Sequence, residues 1–138
     1  GCDWCEDLNV ATKLYYYSNS VSYLAEPLYH YRSNPSSITH TINRKKKKAR
    51  LKNTLDLYNF FIGKEMYEAI KRYLFYRILI AKQFYLYDEK RITTYMELMP
   101  ETNMYILSNP FYGIKSKSVE WLVIKLYALI IRLSGIKI

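Results

Sequence analysis

Cysteine, glycine, proline and long apolar runs are all scarce in this chain, and each shortage removes a class of protein. Two cysteines in 138 residues cannot build a disulfide scaffold. Four glycines and four prolines exclude collagen-like, linker-like and turn-dense all-β chains. No stretch of 18 uncharged apolar residues exists. The nearest, residues 119–133, is interrupted by Lys125 and Arg132, so no spanning helix is predicted. What the chain does hold is apolar and aromatic. Half of its residues are hydrophobic, enough to bury a core and to exclude disorder over most of its length. Sixteen tyrosines suit half-buried helix faces and membrane interfaces, with core packing the ordinary use for most of them. A chain of this length is one domain, or the back part of a longer protein.

The formal charge of +9 is concentrated in two zones. Residues 43–52 carry seven basic and no acidic side chains, and residues 113–138 carry five basic and one acidic. The first 42 residues are net acidic and residues 53–112 are balanced. Zones of this kind attract phosphate-bearing partners: lipid headgroups, nucleotide diphosphates or nucleic acid. A solvated helix face is the plainer use of a lysine run.

Periodicity predicts a helix over residues 6–17, with Val10, Leu14 and Tyr17 as its apolar positions. Glu6 and Asp7 stand at its start, where the helix dipole favours negative charge. Residues 21–24 and 28–32 alternate around Glu26 and Pro27, predicting two short strands or one bent strand. Residues 33–37 form the strongest loop signal. From about Thr41 onward the pattern is helical. Leu51, Leu55, Tyr58 and Ile62 make one stripe, and Met66, Ile70, Leu74, Ile78, Ala81 and Tyr85 a second. Gly63 between them predicts a C-cap and an antiparallel αα-hairpin. A short helix is predicted over 89–98, irregular chain over 101–116, and a last helix over 118–133. The fold class is therefore mainly α with a small α/β N-terminal piece. Residues 1–40 form that mixed piece and residues 41–138 a basic helical extension.

Few motifs carry chemistry. Cys2 and Cys5 have C-x-x-C spacing, but no preceding strand is visible, and Glu6 and Asp7 beside them disfavour thiolate. A zinc site from both cysteines with His30 and His40 has irregular spacing. Two incidental thiols are the favoured reading. The adjacent carboxylates Glu6 and Asp7, behind Trp4, are placed to offer a general base at the head of a helix, although acidic first turns are also common capping. Arg32, ending the 28–32 segment before a hydroxyl-rich loop, suits a phosphate; a surface arginine before a turn is the ordinary alternative.

Taken in order, W-x-E-D at residues 4–7, a helix, and then Y-L-x-E-P-L-Y-H-Y-R-x-N-P-x-S-I-T at 23–39 resembles the C-terminal part of the catalytic domain in bacterial family 2 glycosyltransferases of GT-A (Rossmann-like) fold, the surface-polysaccharide type. The resemblance is specific over residues 1–40; beyond, it extends only to basic, tyrosine-rich helices. It implies that Asp7 is the general base for the acceptor hydroxyl, with Glu6 as its supporting neighbour. Trp4 would line the acceptor side. Arg32, with His30 and Ser37, would lie on the segment closing over the donor diphosphate. It further implies inverting transfer from a nucleotide-diphosphate sugar to a carbohydrate or lipid-linked acceptor. Mg²⁺ or Mn²⁺ would be held by a D-x-D motif that this chain lacks, and no Q-x-x-R-W motif of processive synthases follows Asp7. The chain is then expected to be an inactive C-terminal fragment, with the intact enzyme cytoplasmic and peripheral at the inner membrane face. Lys45, Lys46, Lys47 and Lys48 would contact anionic lipid or phosphate. The rival reading is a basic helical module without catalysis, binding membrane or nucleic acid.

Overall fold

The computed structural model describes residues 6–30 and 43–134, with the side chain of Glu6 excepted. Five α-helices make up most of it: α1 (Glu6–Tyr17), α2 (Arg44–Phe61), α3 (Tyr67–Gln83), α4 (Ile92–Glu97) and α5 (Ile114–Ser134). A π-helical turn, Phe84–Asp88, follows α3, and a 3-10 turn, Pro100–Tyr105, follows α4. Among the described residues no strand forms, so the mainly α expectation stands and the N-terminal α/β piece gains no support. Residues 21–30 carry no regular secondary structure and are exposed throughout. The reason is local and tertiary at once. Pro27 favours a tight turn, closed by Leu28 N–H donating to Glu26 O at 2.9 Å, and no described neighbour offers a strand edge. The last two residues of the predicted 28–32 strand, and the loop at 33–37, lie outside the described residues.

Helix α2 starts at Asn43, whose Oδ1 accepts the Lys46 N–H at 3.0 Å. Four lysines and two arginines crowd its first turns, the wrong sign for a helix N-terminus. The chain answers from the far end of the hairpin. Lys47 Nζ meets both Asp88 oxygens at 2.8 Å, and Arg44 Nε donates to Glu89 at 2.7 Å. Those contacts also fix α2 and α3 as antiparallel. Their turn uses Gly63 at φ +78°, the left-handed conformation expected of the residue that ends a helix. Leu57, Phe61 and Leu74 are buried together in the hairpin core. The α2 stripe is thus rotated from the predicted one: Leu51 is buried as expected, but Ile62 is exposed, and Thr54, Leu57 and Phe61 take the inner face. The α3 stripe holds at Leu74, Ile78 and Ala81.

Helix α1 lies on α2 and runs parallel to it. Asn9, buried, donates to Asn53 O at 3.0 Å and to Asp56 at 2.8 Å. Lys13 pairs with Asp56 at 2.6 Å, and Tyr16 meets Phe60 and Phe61 edge to face. These two hydrogen-bonding partners hold the Asp56 carboxyl below its usual range. The predicted apolar stripe of α1 therefore faces outward: Val10, Leu14 and Tyr17 are all more than half exposed.

Candidate functional site

Asp7 stands in the first turn of α1 and is exposed. Asn9 faces α2, and a helix advances 100° per residue, so Asp7 points to the opposite side. Val10 and Leu14 follow at i+3 and i+7 and share that outward face. Glu6 is helical. Trp4, Arg32 and Ser37 lie outside the described residues, as do Cys2, Cys5 and His40. His30 is exposed and lies outside α1, the helix that carries Asp7. Along the lysine run, Lys45 and Lys48 are exposed, Lys46 is half-buried, and Lys47 is committed to Asp88. Lys48 and Lys52 border a groove of about 450 Å³ between α2 and Tyr85. Among the described residues no group of three or more His, Cys, Asp or Glu is placed to hold a metal ion.

A second constellation, which periodicity did not reveal, sits in the interior between α3, α4 and α5. Lys82 and Glu120 are both fully buried. Lys82 Nζ donates to Leu98 O at 3.1 Å and to Asn103 Oδ1 at 2.5 Å, and rests 4.8 Å from the centre of the Tyr95 ring. Tyr95 in turn donates its hydroxyl to Glu120 at 2.7 Å, so one aromatic ring separates the two opposite charges. Gln83 also hydrogen-bonds Glu120, and Tyr87 reaches it at 3.5 Å. The buried Tyr112 hydroxyl approaches the same carboxylate without a well-formed hydrogen bond.

Burial dominates the electrostatics here. It pushes the Lys82 ammonium down from 10.5 to about 7, against the pull of Glu120. Burial likewise pushes the Glu120 carboxyl up, partly offset by its hydrogen-bonding partners, and raises the Tyr95 and Tyr112 hydroxyls far above their ordinary value. With both charges closed off from solvent, the network cannot meet a substrate. Its work is to lock α3, α4 and α5 together. The sequence signal was a charge at a core register: Lys82 lies four residues after Ile78 on the buried face of α3, and Glu120 opens the apolar segment of α5.

Glu120 is the one fully buried side chain of α5. Ile124, Tyr127 and Ile131, spaced with it as i+4, i+7 and i+11, are half-buried. The opposite series, Leu122, Leu126, Leu129 and Leu133, is exposed, together with Val119 and Ile130. An apolar stripe of α5 therefore lies on the outside of the molecule. No described helix is long and apolar enough to cross a membrane. No protein-family model, no curated protein and no solved structure matches the chain.

Proposed function

We propose that this chain carries the end of the catalytic domain, and the membrane-proximal extension, of an inverting family 2 glycosyltransferase of the surface-polysaccharide type. The observation that carries the reading is the setting of Asp7. It stands at the head of α1 within the W-x-E-D motif, exposed, on an uncovered apolar face with Val10 and Leu14. Such a face suits packing against the rest of a catalytic domain, which would enclose the carboxylate at its edge. Residues 18–30 support the same reading. Val21, Tyr23, Leu24 and Leu28 are large apolar side chains exposed on a segment without regular secondary structure. Exposed apolar side chains of this kind suit packing against a larger domain.

In this reading Asp7 takes the proton of the acceptor hydroxyl as that oxygen attacks the anomeric carbon, on the face opposite the departing nucleotide diphosphate. A base positioned in this way contributes about 10²–10⁴-fold in rate. Glu6, one residue earlier, supports Asp7, and Trp4 lines the acceptor side. Arg32, with His30 and Ser37, closes over the donor diphosphate. The metal ion that the resemblance implies does not fit the described residues, which hold no ligand cluster, and the chain has no D-x-D motif. Its ligands would come from elsewhere in a longer protein. The acceptor is a carbohydrate or a lipid-linked sugar, and the enzyme sits peripherally on the inner face of the cell membrane.

The test is Asp7→Asn in the full-length transferase. Turnover should fall by at least about 100-fold while nucleotide-sugar affinity, measured by calorimetry, stays within about twofold of wild type. Loss of donor affinity in parallel with turnover would remove Asp7 from the role of base.

A further inference from the structure

We infer that the outward face of α5 is a bilayer-docking surface, and that α5 lies in the headgroup plane of an anionic membrane. This deepens the peripheral-membrane part of the proposed function and rests on that reading for its location alone. The surface is built from four leucines at i, i+4, i+7 and i+11: Leu122, Leu126, Leu129 and Leu133, between 50% and 78% exposed. The Glu120 network fixes the rotation of the helix, because it pins the opposite side into the Gln83, Tyr87 and Tyr95 cage. The leucines are therefore presented outward by design of the core.

The flank of this face decides the occupant. Lys125 and Arg132, seven residues apart, border the leucines on one side, and Lys125 lies 5.5 Å from the Trp121 ring. An indole and long basic stems beside an apolar stripe are the arrangement of a helix at the water–lipid boundary. The sole acidic residue of α5, Glu120, is buried, so the outward face carries positive charge only. A second copy of the chain would bring the same unbalanced cations to the contact, which opposes self-pairing. An anionic bilayer supplies the missing charge and the apolar depth together. The charges at Lys125 and Arg132 also rule out burial of α5 across the membrane. The α2 lysine run is the weaker candidate, since Arg44 and Lys47 are already paired with Glu89 and Asp88.

The experiment uses the 138-residue chain with Trp4→Phe, which leaves Trp121 as the single indole. Vesicles of phosphatidylcholine alone are compared with vesicles containing about a third phosphatidylglycerol. Binding to the anionic vesicles with a blue shift of Trp121 emission is expected. Lys125→Gln with Arg132→Gln should weaken that binding roughly 30-fold, about fivefold per charge. Leu122→Asn, Leu126→Asn and Leu129→Asn together should abolish the blue shift, with helix content by circular dichroism unchanged because these side chains are exposed. Full binding by the triple variant, or binding without any blue shift, would overturn the assignment. So would a wild-type dimer in sedimentation that the triple variant dissolves, since the occupant would then be a second copy. Vesicle binding needs no turnover, so its failure leaves the Asp7 reading standing, and inactive Asp7 variants should bind vesicles normally.

Discussion

Lys82→Met turns the buried network into a measurable pH dependence. Lys82 is fully buried, and its ammonium falls from 10.5 to about 7 on folding. At about 1.4 kcal/mol per pH unit, that drop is a penalty on the order of 5 kcal/mol against the charged form in the folded state. The sign follows from the direction. Between pH 7 and 10.5 the unfolded chain holds a proton that the folded chain has released, so stability rises with pH across that window. From pH 7 to pH 9 the rise due to Lys82 is about 2 kcal/mol. Above pH 10 the trend reverses, because Tyr58 is pushed up to about 12, chiefly by its hydrogen bond with Tyr67, and Tyr95 and Tyr112 are raised further by burial. Unfolded tyrosines then lose protons that folded ones keep. Wild-type stability should therefore peak between about pH 9 and 10. Methionine fills the same volume without titrating, so Lys82→Met should flatten the rise between pH 7 and 9 even if its stability at pH 7 is altered by the orphaned Leu98 and Asn103 oxygens. Denaturant midpoints at pH 7, 8 and 9 for both proteins read this directly, and thiol titration cancels in the difference. Parallel curves for the two proteins would refute a buried, depressed lysine.

Two further substitutions test the fold. Glu120→Gln keeps the shape of the side chain and removes its charge. Because burial raises the folded carboxyl above its ordinary value of 4.5, its contribution is present below that pH and is lost as pH rises through the folded value. The variant should match wild type in denaturant midpoint at pH 4 and exceed it at neutral pH; a variant weaker at neutral pH would contradict the burial argument. Gly63→Ala meets no atom within 4 Å, so its cost is that of the left-handed backbone alone, about 1–2 kcal/mol by chemical denaturation. A stabilised Gly63→Ala protein would show that the turn is not left-handed.

Helix bounds and the hairpin turn were readable in the sequence. The bounds of α1 and the Gly63 turn follow from period and from the dipole-compatible Glu6 and Asp7. Period alone could not say which surface covers a stripe. In α1 the predicted apolar positions lie outside, and α5 likewise carries an apolar stripe outside, because polar contacts choose the inner face: Asn9 and Lys13 on α2, Glu120 in its tyrosine cage. The α2 stripe shifted for a related reason, since α1 and α3 both press on the helix and draw Asn53 and Thr54 inward along with Leu57. Residues 21–24 and 28–32 alternate as strands do, yet no strand forms over the described part, and Pro27 turns the chain instead. Lys82 and Glu120 were invisible as a pair because they stand 38 positions apart; only the folded chain brings both to Tyr95. Of the candidate catalytic residues, Asp7 was legible from its motif and its place at a helix start, and its outward direction came from the packing of Asn9.

The proposed role of Asp7 as a general base is tested most directly by chemical rescue in the full-length form of the transferase proposed above. Asp7→Ala opens the space of the carboxylate, and turnover should fall by at least about 100-fold. Added formate, a diffusible carboxylate, should then restore turnover by about tenfold or more, while leaving Asp7→Asn, whose amide fills the space, unrescued. An Asp7→Ala enzyme that keeps more than about a tenth of wild-type turnover without formate would contradict the assignment of this carboxylate as the base.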